Sequence, residues 1–185
     1  MRRLDESGMT LLETLVSLGI FSVVIVFTMG LFISGIKAQA RVSEMNLVNN
    51  EASFLLDRIG REIRMAKDVS DMQILKFDGS TILNPGPRIK FTNHDSNPTV
   101  YCQADFSGAC KNPGDYVSVS YDNGANFTQI SSPNVKMVDL KFYSNGDPAG
   151  VPPTQKIITI YLELQSLKDP SVSIGLQTSV VPRVY

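Results

Sequence analysis

From Met9 to Ile36 the chain reads MTLLETLVSLGIFSVVIVFTMGLFISGI, an apolar run in which Glu13 is the only charged residue. As a helix rising about 1.5 Å per residue it extends roughly 40 Å, against a hydrocarbon core of about 30 Å. The run is therefore long enough to span a bilayer. The charged segment MRRLDESG precedes it, and Lys37 and Arg41 follow it. A conventional secretory signal peptide would find a small-residue cleavage pattern at Ala38-Gln39-Ala40. Its apolar region, however, is only about 7 to 15 residues long. An ordinary signal anchor fits the length and leaves Glu13 unexplained.

Beyond the span the pattern becomes amphipathic. Val48, Ala52, Leu55, Leu56, Ile59, Ile63 and Ala66 recur at spacings of three and four and define one helix face. Asn46, Asn50, Asp57, Arg58, Arg61, Glu62 and Arg64 populate the remainder, a face most simply solvated. The expected element is one helix continuous with the span, its later half resting on a folded head. Gly60 weakens it by about 1 kcal/mol relative to alanine and permits close packing or a bend.

After Asp68 the helical period stops, and short alternating segments are punctuated by Gly, Pro, Asn and Asp. Alternation places Val117, Val119 and Tyr121 on a core face, and likewise Val138, Leu140 and Phe142. Ile158, Ile160, Leu162 and Leu164, and then Ile174, Leu176 and Val180, repeat the pattern. Asp78-Gly79 and Asn123-Gly124 are hairpin signals because both pairs accept positive φ. The stretch from Asn145 to Thr154 reads as a surface loop. The expected head is a mostly antiparallel sheet, without internal repeat or interdomain linker.

With 185 residues, one head with a sizeable core is the expected domain count. A net charge of -1 argues against an electrostatic grip on nucleic acid. The only cysteines are Cys102 and Cys110, with no second pair or histidine cluster to build a zinc site. They form a short disulfide loop in an oxidising compartment and two free thiols in a reducing one. The membrane span places them on the oxidising side and favours the bridge.

The segment Ser7-Gly8-Met9-Thr10-Leu11-Leu12-Glu13 joins a short polar leader ending in glycine to a long apolar helix, with a carboxylate five residues in. It resembles the processing signal of type IV pilins and type II secretion pseudopilins. The resemblance implies a pilin-like α+β fold, cleavage between Gly8 and Met9 by a prepilin peptidase on the cytoplasmic side, and methylation of the new amino group of Met9. It also makes Glu13 the fifth-position glutamate, which meets the corresponding amine of an adjacent subunit in the filament. Met9 departs from the usual phenylalanine. The implied organisation is a leader over 1–8, a transmembrane half-helix over 9–36, an amphipathic half over 37–67 and a β-rich head over 68–185. The implied location is the bacterial inner membrane, with leader cytoplasmic and head periplasmic, and then a filament in the periplasm or outside the cell.

An acidic side chain in a membrane helix costs on the order of 2.5 to 3.5 kcal/mol at the bilayer centre, less near its edge, and usually has a partner. The free amine of a new N-terminus, with a pKa of about 7.7 to 8.0, is such a partner. A buried pair of this kind specifies register better than it adds stability.

A second likeness is to minor subunits of the PilW and GspJ kind, which help form the tip complex that starts assembly. It rests on Phe54-Leu55-Leu56-Asp57-Arg58-Ile59-Gly60-Arg61-Glu62-Ile63-Arg64-Met65-Ala66 and on Leu176-Gln177-Thr178-Ser179-Val180-Val181-Pro182-Arg183. The presence of Glu13 argues against the tip-most K-type pseudopilin, which typically lacks this acid. The implied partners are the peptidase and methyltransferase, other minor and major pilin-like subunits, the inner membrane and, in a DNA-uptake filament, nucleic acid.

The remaining polar clusters read as turns. His94, the only histidine, lies in Thr-Asn-His-Asp-Ser-Asn-Pro without an evident nucleophile or metal partner. Asp122-Asn123-Gly124-Ala125-Asn126 and Asp95-Ser96-Asn97 carry oxygen ligands suited to calcium and equally to turns. No phosphate loop or dinucleotide fingerprint occurs, so no cofactor is implied. A structural and assembly subunit is the expected function. A filament-tip binding module for a surface, a secreted substrate or DNA is the alternative, and a membrane-tethered hydrolase would need a pocket with convergent polar groups.

Overall fold

The computed structural model describes residues 10–68, 71–80, 84–105, 107–110, 114–146 and 155–183. Helix α1 (Leu11–Arg64) comprises 54 residues and precedes eight strands among the described residues. No proline occurs before Pro85, so no missing N–H of that kind breaks the α1 hydrogen-bond ladder. The chain divides into two compact units at Val42/Ser43. Every described residue of the first unit is exposed.

In the second unit, α1 buries Val48, Ala52, Leu55, Leu56, Ile59, Gly60 and Ile63. All but Gly60 are residues that the three-and-four spacing places on one face, and Ala66 just beyond the helix is buried with them. Each large apolar side chain buried there contributes about 1.5 to 3 kcal/mol. The helix stops at Arg64, whose carbonyl accepts the backbone N–H of Arg183 at 3.2 Å, so the C-terminal segment satisfies one of the last free carbonyls.

Five strands follow as an antiparallel meander: β1 (Gln73–Leu75), β2 (Arg88–Thr92), β3 (Pro98–Ala104), β4 (Tyr116–Ser120) and β5 (Thr128–Gln129). A second antiparallel meander holds β6 (Val135–Asn145), β7 (Ile157–Ser166) and β8 (Ser173–Val180). The fold is thus α+β, with an amphipathic helix packed on antiparallel sheets, two rather than one. Reciprocal backbone hydrogen bonds between Gly86 and Phe142 join the sheets, as does the Met137 N–H donated to the Asp115 carbonyl.

Ile89, Phe91, Tyr101, Val117 and Val119 of the first sheet join Leu140, Phe142, Ile158, Ile160, Leu162 and Leu164 of the second in one core with the helix. Ile174 and Leu176, on the outermost strand, are partly buried against it, and Val180 is buried. Gly60 serves close packing: a Cβ there would lie 3.2 Å from Val180 Cγ2.

Two expected core residues lie elsewhere. Val138 is 43% exposed because a bulge between Met137 and Asp139 shifts the register of β6, placing Met137 in the core instead. Tyr121 is 41% exposed, since β4 ends at Ser120 and the turn that follows has already begun. That turn has Asn123 and Gly124 at φ 64° and 89°, the positive pair expected from the sequence, and connects β4 to β5. Asp78-Gly79 also forms a tight turn, closed by Gly79 N–H to the Lys76 carbonyl, but within a longer connection between β1 and β2. Most of the loop expected over 145–154 lies outside the described residues.

Candidate functional site

The sequence-derived residues fall in separate units. Gly8 and Met9 lie outside the described residues. Glu13 stands in the first turn of α1, and its backbone N–H donates to Thr10 Oγ1 at 3.3 Å. Thr14 N–H donates to the Thr10 carbonyl at 3.2 Å, which makes Thr10 the N-cap and Glu13 the third helical residue. A carboxylate in this position favours the positive end of the helix dipole. The sequence reading missed the role of Thr10, although Thr-x-x-Glu before an apolar run is a capping-box pattern.

The helix that follows is long and apolar enough to cross a membrane, and none of its most apolar window is buried. Leu31 is 75% exposed and Phe27 72%. Single exposed apolar residues are ordinary, but a contiguous run around and along a helix needs a covering phase, lipid or protein.

In the head, Cys102 and Cys110 form a disulfide with Cα atoms 5.9 Å apart. Cys102 comes from β3, and Cys110 pairs with Ala104 in an isolated bridge. Within the loop, Asp105 Oδ1 accepts the N–H groups of Ser107 and Ala109 at 3.0 Å each, so the loop is organised by its own carboxylate as well as the bridge.

The helix face expected to be solvated is only partly so. Asp57 and Arg61 form an exposed pair. Glu62, by contrast, accepts the Tyr121 hydroxyl at 3.1 Å, and Arg58 Nη2 donates to the Tyr121 hydroxyl oxygen at 3.5 Å. Tyr101 lies beneath, fully buried, its hydroxyl without a hydrogen-bond partner among the described residues. Burial, and then the charge of Glu62, push that phenol well above the usual tyrosine range. Nearer the span, Glu44 accepts the Ser166 hydroxyl at 3.0 Å and pairs with Lys168 at 3.0 Å. The Lys168 bond and then the Ser166 bond lower its pKa.

The other polar clusters act as turns. The carboxylate of Asp122 accepts the backbone N–H and side-chain amide of Asn126 and the Ser120 hydroxyl. Asn93 Oδ1 accepts the Asn97 N–H at 2.9 Å, closing the β2–β3 connection with Ser96 at φ 66°. His94 in that connection has a side chain 78% exposed, with Asp95 at 3.5 Å. Among the described residues no group of three His, Cys, Asp or Glu side chains is placed to hold a metal ion.

No protein-family model, no curated protein and no solved structure matches this chain.

Proposed function

We propose that this chain is a minor pilin or pseudopilin, a structural and assembly-initiating subunit of a type IV pilus or type II secretion pseudopilus. The observation that carries the reading is the N-terminal helix: an exposed apolar segment with one carboxylate in its first turn, running on into an amphipathic segment that packs on a β-rich head. Its mechanism is packing rather than catalysis. Prepilin peptidase removes residues 1–8, the methylated amine of Met9 becomes the new N-terminus, and Glu13 of one subunit pairs with that amine on its neighbour. The unpaired carboxylate penalises the isolated subunit and favours the correct axial register.

In this reading the helix first spans the inner membrane with the head in the periplasm, where the disulfide is maintained. It then leaves the bilayer for a filament core, exchanging lipid for the helices of sister subunits. The test is incorporation. Co-expressed with the filament's other subunits and its peptidase, the chain should co-sediment with sheared filaments or co-purify with sister subunits from detergent extracts. A chain that is neither cleaved nor associated with them contradicts the proposal.

A further inference from the structure

Arg88 has an environment that neither the assembly reading nor the turn chemistry uses. In the β2–β3–β4 register it lies beside Cys102, which lies beside Ser118, on the face opposite the one that carries Ile89, Tyr101 and Val119 into the core. The disulfide loop and the β4–β5 turn flank this position and leave a hollow of about 520 Å³, lined by Phe77, Arg88, Ser107, Gly108, Gly124 and Phe127 among others.

Among the described residues the guanidinium forms no salt bridge. Nη1 donates to the Phe77 carbonyl at 2.8 Å, and the group lies 5.9 Å from the centroid of the Phe127 ring. Its Nε is buried and has no hydrogen-bond partner among the described residues. Arginine has five N–H donors, and among the described residues one of them is used. Burial depresses its pKa, and the charge of Asp78 opposes this in part.

The nearby acids are occupied by their own turns. Asp78 Oδ1 accepts the Ser80 N–H, Asp105 Oδ1 those of Ser107 and Ala109, and Asp122 Oδ1 that of Asn126. A partly desolvated charge with no salt-bridge partner among the described residues is costly, and the planar guanidinium matches the paired oxygens of a carboxylate or phosphate. The loops also leave the terminal nitrogens room: a Cβ at Gly124 would lie 3.4 Å from Nη2, so the glycine keeps that approach open.

We propose that this hollow is an oxyanion-binding site, in which the terminal nitrogens of Arg88 receive a carboxylate or phosphate group between the disulfide loop and the Asn123-Gly124 turn. It gives the head a recognition function independent of whether the helix enters a filament. The ring of Phe127 polarises toward the cation, and the disulfide fixes one wall, so the site is preorganised and binding costs little loop ordering.

The test is calorimetric titration of the full chain in a nonionic detergent with inorganic phosphate, with glucuronate and with neutral glucose. Saturable binding of phosphate or glucuronate, none of glucose, and weakening with added salt are expected. Which anion binds more tightly identifies the source. Arg88→Gln should lose about tenfold or more in affinity, the scale of one charge-assisted hydrogen bond. Ala125→Glu places a carboxylate at the exposed rim and should compete with the ligand while leaving the fold, read by near-ultraviolet circular dichroism, unchanged. Absence of saturable anion binding by the wild type, or wild-type affinity in folded Arg88→Gln, overturns the site. If Arg88→Gln does not fold, Ala125→Glu decides: reduced affinity supports the site and unchanged affinity overturns it.

Discussion

The hydroxyl oxygen of Thr10 accepts the backbone N–H of Glu13 at 3.3 Å, so the carboxylate proposed to meet a neighbouring amine also occupies the third position of its own helix. The two roles are compatible, because the cap uses the backbone of Glu13 and pairing uses its side chain. They differ in what their loss does. A lost cap frays one turn; a lost carboxylate removes the partner of the amine.

Thr10→Ala should therefore cost about 1 kcal/mol of local helix stability and leave filament entry largely intact. Glu13→Ala should reduce co-sedimentation with filaments about tenfold or more while the chain still inserts in the membrane. Quantitative blotting of sheared filament and membrane fractions checks both. Equal losses would assign the effect of Glu13 to helix capping.

Gly60 and Val180 predict a reversal of sign. The 3.2 Å separation between a Cβ at Gly60 and Val180 Cγ2 means that Gly60→Ala should lower the denaturation midpoint of the head. In a Val180→Ala background the obstruction is gone, and the same change should stabilise by up to about 1 kcal/mol through helix propensity. A double-mutant cycle by chemical denaturation measures the coupling. Additive effects would show that the contact carries no constraint.

The Cys102–Cys110 bridge closes a loop with a sequence separation of 8, for which chain-entropy arguments give about 2.5 kcal/mol. Reduction, or the Cys102→Ser/Cys110→Ser double variant, should lower stability by that order while retaining the sheet signal in circular dichroism. An unchanged denaturation midpoint would mean that the turn around Asp105 holds the loop unaided.

Asp122 supplies a pH dependence. The backbone N–H of Asn126 first, then the Ser120 hydroxyl and the Asn126 amide, hold its carboxyl at about 2, below the ordinary 3.8. The contribution to stability is therefore fully present above about pH 4 and is lost as pH falls through about 2. Asp122→Ala should lower the melting temperature at pH 6, and its difference from wild type should shrink steadily between pH 4 and pH 2. A difference constant across that range would contradict the turn's reliance on the charged form.

The burial pattern of α1 was legible because a helix repeats every 3.6 residues and one face of it meets a single core. Val48, Ala52, Leu55, Leu56, Ile59 and Ile63 carry that period without interruption. The long strand β7 was equally plain, with Ile158, Ile160, Leu162 and Leu164 all buried. Val138 was misplaced because a bulge adds one residue to a period of two, and nothing in its neighbourhood marks the insertion. Tyr121 was misplaced although Asp122-Asn123-Gly124 beside it announced a turn. The division into two sheets, and the contacts of Arg58, Glu62 and Arg88, depend on residues far apart in the chain, which local periodicity does not encode. At the N-terminus the motif was legible in one dimension, while the cap became apparent only with the position of the first helical hydrogen bond.

The most direct measurement is the intact mass and N-terminal sequence of the chain recovered from membranes of cells that contain a prepilin peptidase. The proposed account predicts a mature chain beginning at Met9, shortened by the eight residues MRRLDESG and carrying one methyl group. A chain that begins after Ala40, or one that keeps its leader in the presence of the active peptidase, would contradict it.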